Sequence, residues 1–177
     1  QSFQLKELSM PLDPNQFLNM EVDGANETTF VPVPADEYIC QIDTENGVDV
    51  RTFINKNGED GAILNIRWNI VDEKKLPRVM EVTGMKVPFA RQSVFADGLF
   101  KPGEDGKPVL IGLQSGPGKN ISLGRLRETL GQNDPNKKWR PAMLLGKTAR
   151  CKIEHRPDTR PGHEKDVFAE VTEVTKL

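Results

Sequence analysis

Few residues of this chain have the types and spacing that catalysis or metal binding needs, and none of them completes such a pattern. The segment 116–120, Gly-Pro-Gly-Lys-Asn, has the glycines and lysine of a phosphate-binding loop. However, Leu113 stands where that loop needs its first glycine, and Asn120 replaces the hydroxyl residue that would hold magnesium. Cys151, His155 and His163 match no standard zinc spacing, and a fourth ligand is missing. The sequence therefore predicts a protein that is not an enzyme and that has no cofactor and no metal.

Cations beside an aromatic residue give the strongest chemical signal. Lys137, Lys138, Trp139 and Arg140 are consecutive. Positively charged grooves with exposed rings bind single-stranded nucleic acid, because phosphates pair with the cations while bases stack on the rings. For Trp139 the sequence leaves two roles open, packing against a helix or stacking on a base.

Other cations occur at predicted strand and loop positions. Arg150 and Lys152 share the outward face of one predicted strand, and Arg67 lies between Asn65 and Asn69 on another. Strand-face cations also serve as solubilising residues, so that role stays open for Arg150 and Lys152. The predicted nucleic-acid-binding residues are Arg67, Lys86, Arg91, Lys137, Lys138, Trp139, Arg140, Arg150, Lys152 and Arg156.

The charge of the chain is unevenly distributed. Residues 1–100 carry nine Lys/Arg against sixteen Asp/Glu, and residues 101–177 carry fifteen against ten. The net charges of −7 and +5 sum to the −2 of the whole chain, while residues 119–165 alone reach +7 with twelve basic and five acidic side chains. A concentrated basic segment offers a polyanion a local field that the overall charge conceals.

The elements that must position these residues are mostly strands. At 177 residues the chain is long enough for one domain with a substantial core. Residues 1–35 are predicted to form an extended N-terminal arm, because Pro11, Pro14, Pro32 and Pro34 interrupt any helix. The apolar residues that could dock this arm on the domain are Leu5, Leu8, Phe17, Leu18 and Met20.

Residues 36–177 are predicted to form a single mainly β domain with five or six strands and one or two short helices. The clearest strand is 62–71, whose alternation turns Leu64, Ile66 and Trp68 to the core. The other predicted strands are 38–42, 79–89 and a closing hairpin of 147–155 with 166–174, with a tight turn at 55–61. The predicted helices are 122–130 and 141–146, and 97–119 reads as a long loop holding a short strand at 109–113.

Cysteine usage and hydropathy suggest an intracellular protein. Cys40 and Cys151 fall in apolar strand-like runs, so we expect buried free thiols and a reducing compartment. The apolar runs are too short to span a bilayer, and the first residues lack the apolar stretch of a signal peptide. We therefore expect no association with a membrane.

Four segments carry a family resemblance. They are the Val-Pro-Ala-Asp-Glu-Tyr segment 33–38, the Ile-Leu-Asn-Ile-Arg-Trp strand 63–68, the helix 123–131 and the Leu-Gly-Lys segment 145–147. From about residue 30 onwards, this order resembles a family of phage and prophage proteins known only as a domain of unknown function. Its members are regarded as single-stranded DNA-binding proteins of the OB-fold type. The chain departs from that family at Asp36, where glycine is usual, and in the length of loop 97–119.

The resemblance implies an OB-like β-barrel that binds single-stranded DNA without sequence preference, in phage replication or recombination. The implied partners are single-stranded DNA and phage replication or recombination proteins, in the cytoplasm of an infected bacterial host; a homo-oligomer stays open. An alternative is a virion structural or assembly protein that docks through its N-terminal arm. A third is an inhibitor or adaptor whose acidic first half mimics DNA.

Overall fold

The computed structural model describes residues 11–177, which fold mainly into β-strands. The strands are β1 (Asp36–Ile42), β2 (Val48–Ile54), β3 (Asp60–Ile70), β4 (Phe89–Ala96), β5 (Phe100–Pro102), β6 (Pro108–Leu110), β7 (Thr148–Pro157) and β8 (Val167–Thr175). The helices are α1 (Pro14–Leu18), α2 (Leu76–Thr83) and α3 (Ile121–Thr129), with a 3-10 helix at Pro141–Leu144. Among these helices of residues 11–177, none is both long and apolar enough to cross a membrane.

Six of the strands form the main sheet. Their order is β1-β7-β8-β4-β3-β2, and β1 makes an additional pairing with β3. All pairings are antiparallel except that of β4 with β8, and β5 and β6 form a separate hairpin. The mainly β prediction is confirmed. The described residues hold eight strands rather than five or six, because β2 and β5 add to the predicted set, in which 109–113 corresponds to β6.

Strand β3 organises the core as its alternation predicts. Leu64, Ile66, Trp68 and Ile70 are buried on one face, while the residues between them are half-buried on the other. The indole N–H of Trp68 donates to Oε1 of Gln92 at 2.9 Å, so the one polar atom of this core residue has a partner.

The remaining core comes from the other strands and from α3. Helix α3 contributes Leu123 and Leu126, as the repeat of leucines predicts. Cys40 and Cys151 are buried and free, which confirms the expectation for both thiols. The closing hairpin is also confirmed: β7 and β8 lie within two residues of their predicted bounds.

The predicted strand 79–89 is wrong, because residues 76–83 form α2. Val79, Val82 and Thr83 are β-branched and imitate a strand in the sequence. Asp72, however, accepts a hydrogen bond from the backbone N–H of Lys75, and Pro77 stands in the first turn, where its missing N–H has no cost. Gly84, at a φ of +69°, ends the helix, so β4 begins only at Phe89.

Loop 97–119 holds a hairpin rather than one short strand. The observed strand β6 is Pro108–Leu110, earlier than the predicted 109–113, and it pairs with β5. Strand β2 was not predicted. It pairs along β3, and the predicted turn at 55–61 connects the two strands, with Asn55 Oδ1 accepting from the N–H groups of Asn57 and Glu59.

The described part of the arm is not entirely extended. Pro14 begins the five-residue helix α1, which Asp13 caps by accepting from the N–H of Asn15. Phe17, Leu18 and Met20 are exposed, so the prediction that they dock the arm is wrong. Leu5 and Leu8 lie outside the described residues. The residue that anchors the arm is Val33, which is fully buried in the core.

Candidate nucleic-acid interface

The outward side chains of β3 and β4 form one polar and aromatic surface, which we call the β3–β4 face. Cross-strand pairing sets Arg67 opposite Arg91, and residues two apart on a strand share a face. The members of the face are Asn65, Arg67, Asn69, Phe89, Arg91, Ser93 and Phe95. Two predicted site residues, Arg67 and Arg91, are therefore brought together.

The guanidinium groups of Arg67 and Arg91 both lie near the ring of Phe89. The central carbon of Arg67 lies 3.8 Å from the centre of the Phe89 ring, and that of Arg91 lies 5.2 Å from it. The Nε–H of Arg67 also donates to Oδ1 of Asn69 at 3.1 Å. Within residues 11–177 neither arginine forms an ion pair, so their positive charges are not neutralised by a salt bridge. Two guanidinium groups beside one aromatic ring suit a ligand that carries both an anionic group and a planar ring.

This face borders a groove of about 550 Å³. One wall is β4, a second is the β7–β8 hairpin, and the third is the end of the N-terminal arm. The residues lining the groove include Phe30, Pro32, Val33, Phe89, Arg91, Arg156, Arg160, Phe168 and Glu170. The groove thus combines three arginines with three phenylalanines, and a third predicted site residue, Arg156, lies in it.

The loop between β7 and β8 is fixed by an ion pair. Arg160 donates from Nε to both oxygens of Asp158 at 3.0 Å, and its terminal N–H donates to Oδ2 at 2.6 Å. These hydrogen bonds from Arg160 lower the pKa of Asp158 from 3.8 to about 2 and raise the pKa of Arg160. The Arg160 guanidinium also lies 5.6 Å from the ring centre of Phe168, so the pair positions a cation and a ring in the groove.

The arm wall of the groove is held by two side chains that contact backbone carbonyl oxygens of the arm. The Nε2 atom of His155 lies 2.8 Å from the carbonyl oxygen of Val33, and the hydroxyl of Tyr38 donates to the carbonyl oxygen of Pro34 at 2.9 Å. These contacts fix the chain just beyond Phe30, which is 63% exposed. The arm therefore contributes an accessible ring to the groove.

Arg150 and Lys152 lie elsewhere, on the outward face of β7. Lys152 stands opposite Glu37 of β1 and Glu173 of β8, and its Nζ lies 3.4 Å from a carboxylate oxygen of Glu154. Strand β8 separates this face from β4 in the sheet. The carboxylates around Lys152 weaken its attraction for phosphate, which favours the solubilising role for this residue.

The remaining predicted residues do not border the groove. Lys86 is exposed in the turn before β4, and Lys137, Lys138 and Arg140 are exposed in the segment after α3. Trp139 is half-buried: its indole N–H donates to Oε1 of Gln132 at 3.0 Å, and the Arg127 guanidinium covers its ring at 4.6 Å. This placement corresponds to the packing role. Lys137 and Trp139 line a second, more polar cavity of about 600 Å³ beside α3.

The three residues considered as zinc ligands have separate environments. Cys151 is buried in the core, His155 contacts Val33, and the Nδ1 atom of His163 lies 2.9 Å from Asp166. His163 does come together with Asp158 and Asp166, whose potential ligand atoms lie within 4.8 Å of one another. Arg160 already engages both oxygens of Asp158, so the positive charge that a cation would supply is present in the protein.

The aromatic residues of the groove are not among the predicted site residues. Phe89 was placed at the end of the predicted strand 79–89, most of which forms α2 and the turn after it, and Phe30 has no local pattern that marks it. Phe168 alternates with the apolar residues Val167, Ala169 and Val171 of β8 and could have been assigned to the outward face by that alternation.

No known protein-family model matches this chain, and a search of curated proteins found no match either.

Proposed function

We propose that this protein binds single-stranded DNA without sequence preference, in the groove beside the β3–β4 face. The observation that carries the proposal is the cluster of Arg67, Phe89 and Arg91 at the mouth of the groove, where a ring contacts two arginines that form no ion pair with any described residue. Phosphates would pair with the guanidinium groups of Arg67 and Arg91, which the ring of Phe89 positions, and bases would stack on the exposed rings of Phe168 and Phe30. A role in phage replication or recombination rests on the family resemblance alone.

The strand pairing supports an OB-like barrel for this function. The pairings lead from β1 to β7, β8, β4 and β3 and then back to β1, which makes a ring of five strands with β2 appended to β3. OB-folds are five-stranded barrels that bind oligonucleotides on the face of their second and third strands and on the loops beside it. In this ring those two strands are β3 and β4. The loop between the last two strands is the one that holds Arg160.

The polar groups of the groove fit sequence-tolerant binding. Stacking on phenylalanine accepts every base, and arginine contacts to phosphate carry no sequence information. The Nδ2 group of Asn65 is buried in the face and has no hydrogen-bond partner within residues 11–177. A small shift of this amide toward the surface would let it donate to a phosphate or a base edge.

Two double variants with the same change in charge test the location of the site. In Arg67→Ala/Arg91→Ala the loss of two phosphate contacts should weaken binding of a labelled oligo-dT by about tenfold or more at low salt. In Arg150→Ala/Lys152→Ala, which changes the β7 face, we expect less than about a threefold change, because carboxylates surround Lys152. Fluorescence anisotropy measures both, and circular dichroism checks that each variant is folded.

The pair of variants separates three results. Weaker binding only in the first variant supports the groove, and weaker binding only in the second moves the site to β7. A wild-type protein that binds no oligo-dT at low salt would overturn the function itself.

The described arm favours a second candidate, the virion assembly protein. Leu12, Phe17, Leu18, Met20 and Val22 are all between 57% and 79% exposed. Apolar side chains in an unpacked arm suit a segment that docks on another protein. In that role the oligomer would form without DNA and would depend on the arm.

A further inference from the structure

Strand β2 leaves one edge without a partner. It ends the strand order of the main sheet, and within residues 11–177 it pairs with β3 only. The carbonyl of Gly47 accepts from the N–H of Arg67, and the N–H of Asn55 donates to the carbonyl of Glu59. Since hydrogen-bonded residues alternate along an antiparallel pair, the odd-numbered residues of β2 face β3. The N–H and C=O groups of Val48, Val50, Thr52 and Ile54 therefore point to the free edge.

The side chains of β2 do not protect that edge. Val50 is 57% exposed and Ile54 is 73% exposed, and both lie on one face of the strand. The opposite face carries Asp49 and Arg51, and neither side chain has an ion-pair partner in the part of the chain described. A free edge with exposed apolar residues is a template for another strand.

The spacing of the two charges suits a second copy of the same strand. When two β2 strands pair antiparallel about a twofold axis at Val50, Asp49 of each copy stands opposite Arg51 of the other. Val50 then faces its own counterpart, and Val48 faces Thr52. This register uses the free backbone groups in about six hydrogen bonds, two for each of three pairs.

Neighbouring registers lack this complementarity. A twofold axis at Arg51 sets two arginines opposite each other, and an axis at Asp49 does the same with two aspartates. Like charges directly opposite each other destabilise a strand pair, whereas opposite charges stabilise it. A register centred on Thr52 brings Arg51 opposite Phe53 and leaves Asp49 opposite Asn55, without an ion pair.

We propose that the protein forms a homodimer through antiparallel pairing of β2, in the register centred on Val50. The interface leaves the nucleic-acid groove open, because β4, β7 and β8 line that groove and β2 does not. Asp49 lies at the border of the β3–β4 face, opposite Asn65. Two copies joined in this way form one continuous sheet, since β3 of each copy lies next to its own β2.

Charge reversal tests the interface in solution. Sedimentation velocity of the wild-type chain over a concentration series should show a reversible dimer. Arg51→Asp and Asp49→Arg each create like-charge pairs on both sides of the axis, and each should weaken dimerisation about 30-fold. The double variant Asp49→Arg/Arg51→Asp restores opposite charges, and its dimer affinity should return to within about threefold of the wild-type value.

Lys107→Asp is the matched control for Arg51→Asp, since it makes the same change in net charge in the turn between β5 and β6. A wild-type chain that stays monomeric up to about 100 µM, near the weak end of specific association, would overturn the proposal. So would single variants that dimerise as well as the wild type. An oligomer that survives Arg51→Asp would point to the arm, as the assembly role predicts.

Disulfide trapping tests the register. Directly opposed, hydrogen-bonded residues have Cα atoms about 5.5 Å apart, which a disulfide can span. Val50→Cys should therefore form an intermolecular disulfide under mild oxidation. Thr52→Cys should not, because its two copies would be about 13 Å apart along the strands. The native thiols Cys40 and Cys151 are buried and do not compete. Cross-linking through Thr52→Cys instead of Val50→Cys would refute this register.

Discussion

At the scale of single residues, the ion pair of Asp158 with Arg160 holds the conformation of the loop that lines one side of the groove. The Asp158 carboxylate is almost completely buried, and it accepts hydrogen bonds from the Arg160 side chain and backbone. Its pKa in the folded protein is about 2 instead of 3.8. A carboxylate with a lowered pKa stabilises the fold at pH values above its ordinary pKa, and this contribution is lost as the pH falls from 3.8 to about 2.

The substitution Asp158→Asn should show this dependence. The variant should unfold at a lower temperature than the wild type at about pH 7, and the difference should shrink as the pH approaches about 2. Thermal unfolding followed by circular dichroism over that pH range measures it. Asp105→Asn, in the exposed turn between β5 and β6, is the control. A difference between wild type and Asp158→Asn that is the same at every pH would contradict the assignment.

Single residues also show where sequence reasoning about the site succeeds. Arg67 could be predicted because β3 alternates strictly, which fixes the side of the sheet that each residue faces. Trp139 could not be assigned, since its partners Arg127 and Gln132 come from α3 and the turn after it. The clustering of Arg67 with Arg91 depends on the register between two strands separated by α2. The sequence does not contain that register in any local pattern.

At the scale of elements, the turn between β1 and β2 requires a glycine at position 47. A Cβ atom at this position would lie 2.1 Å from the carbonyl oxygen of Asp43, which is backbone and cannot move aside. Gly47 is also buried, and its carbonyl accepts from the N–H of Arg67. We expect Gly47→Ala to lower the free energy of unfolding by about 1–3 kcal/mol, the usual cost of overpacking. Denaturant unfolding measures this change.

Gly124→Ala is the matched control in α3. A Cβ atom there meets nothing within 4 Å, and Gly124 is not among the residues with positive φ. Replacing glycine by alanine inside a helix should raise the free energy of unfolding by about 0.5–1 kcal/mol. If both alanine variants changed stability in the same direction, the account of Gly47 would be incorrect.

Elements with a clear local sequence pattern were predicted correctly, and elements that depend on turns or on strand pairing were not. The closing hairpin and α3 have strong periodicity, and the structure confirms them. The segment that forms α2 has β-branched residues, so propensity favours a strand, but Asp72, Pro77 and Gly84 impose a helix through turn and capping geometry. No residue of β2 is fully buried, so the position of this strand is set by its pairing with β3.

At the scale of the whole molecule, the net charge of −2 would oppose binding to a polyanion, so any affinity must come from the local field of the groove. The salt dependence of binding reports how many phosphates that field engages. For single strands the log–log slope is about −0.7 for each phosphate contacted. Among the residues that the structure describes, no carboxylate forms an ion pair with Arg67 or Arg91, whereas Glu170 and Asp158 partly neutralise Arg156 and Arg160.

Two to four effective contacts therefore predict a slope between about −1.4 and about −2.8 for oligo-dT. The variant Arg67→Ala/Arg91→Ala should make this slope less negative by about 1.4, because it removes two contacts. Anisotropy titrations at several salt concentrations measure both slopes, and a duplex of equal length is the control. The duplex should bind more weakly, since its paired bases cannot stack on Phe30 or Phe168. A slope that is unchanged in the double variant would mean that the phosphates lie elsewhere, for example along the basic segment 137–140 after α3.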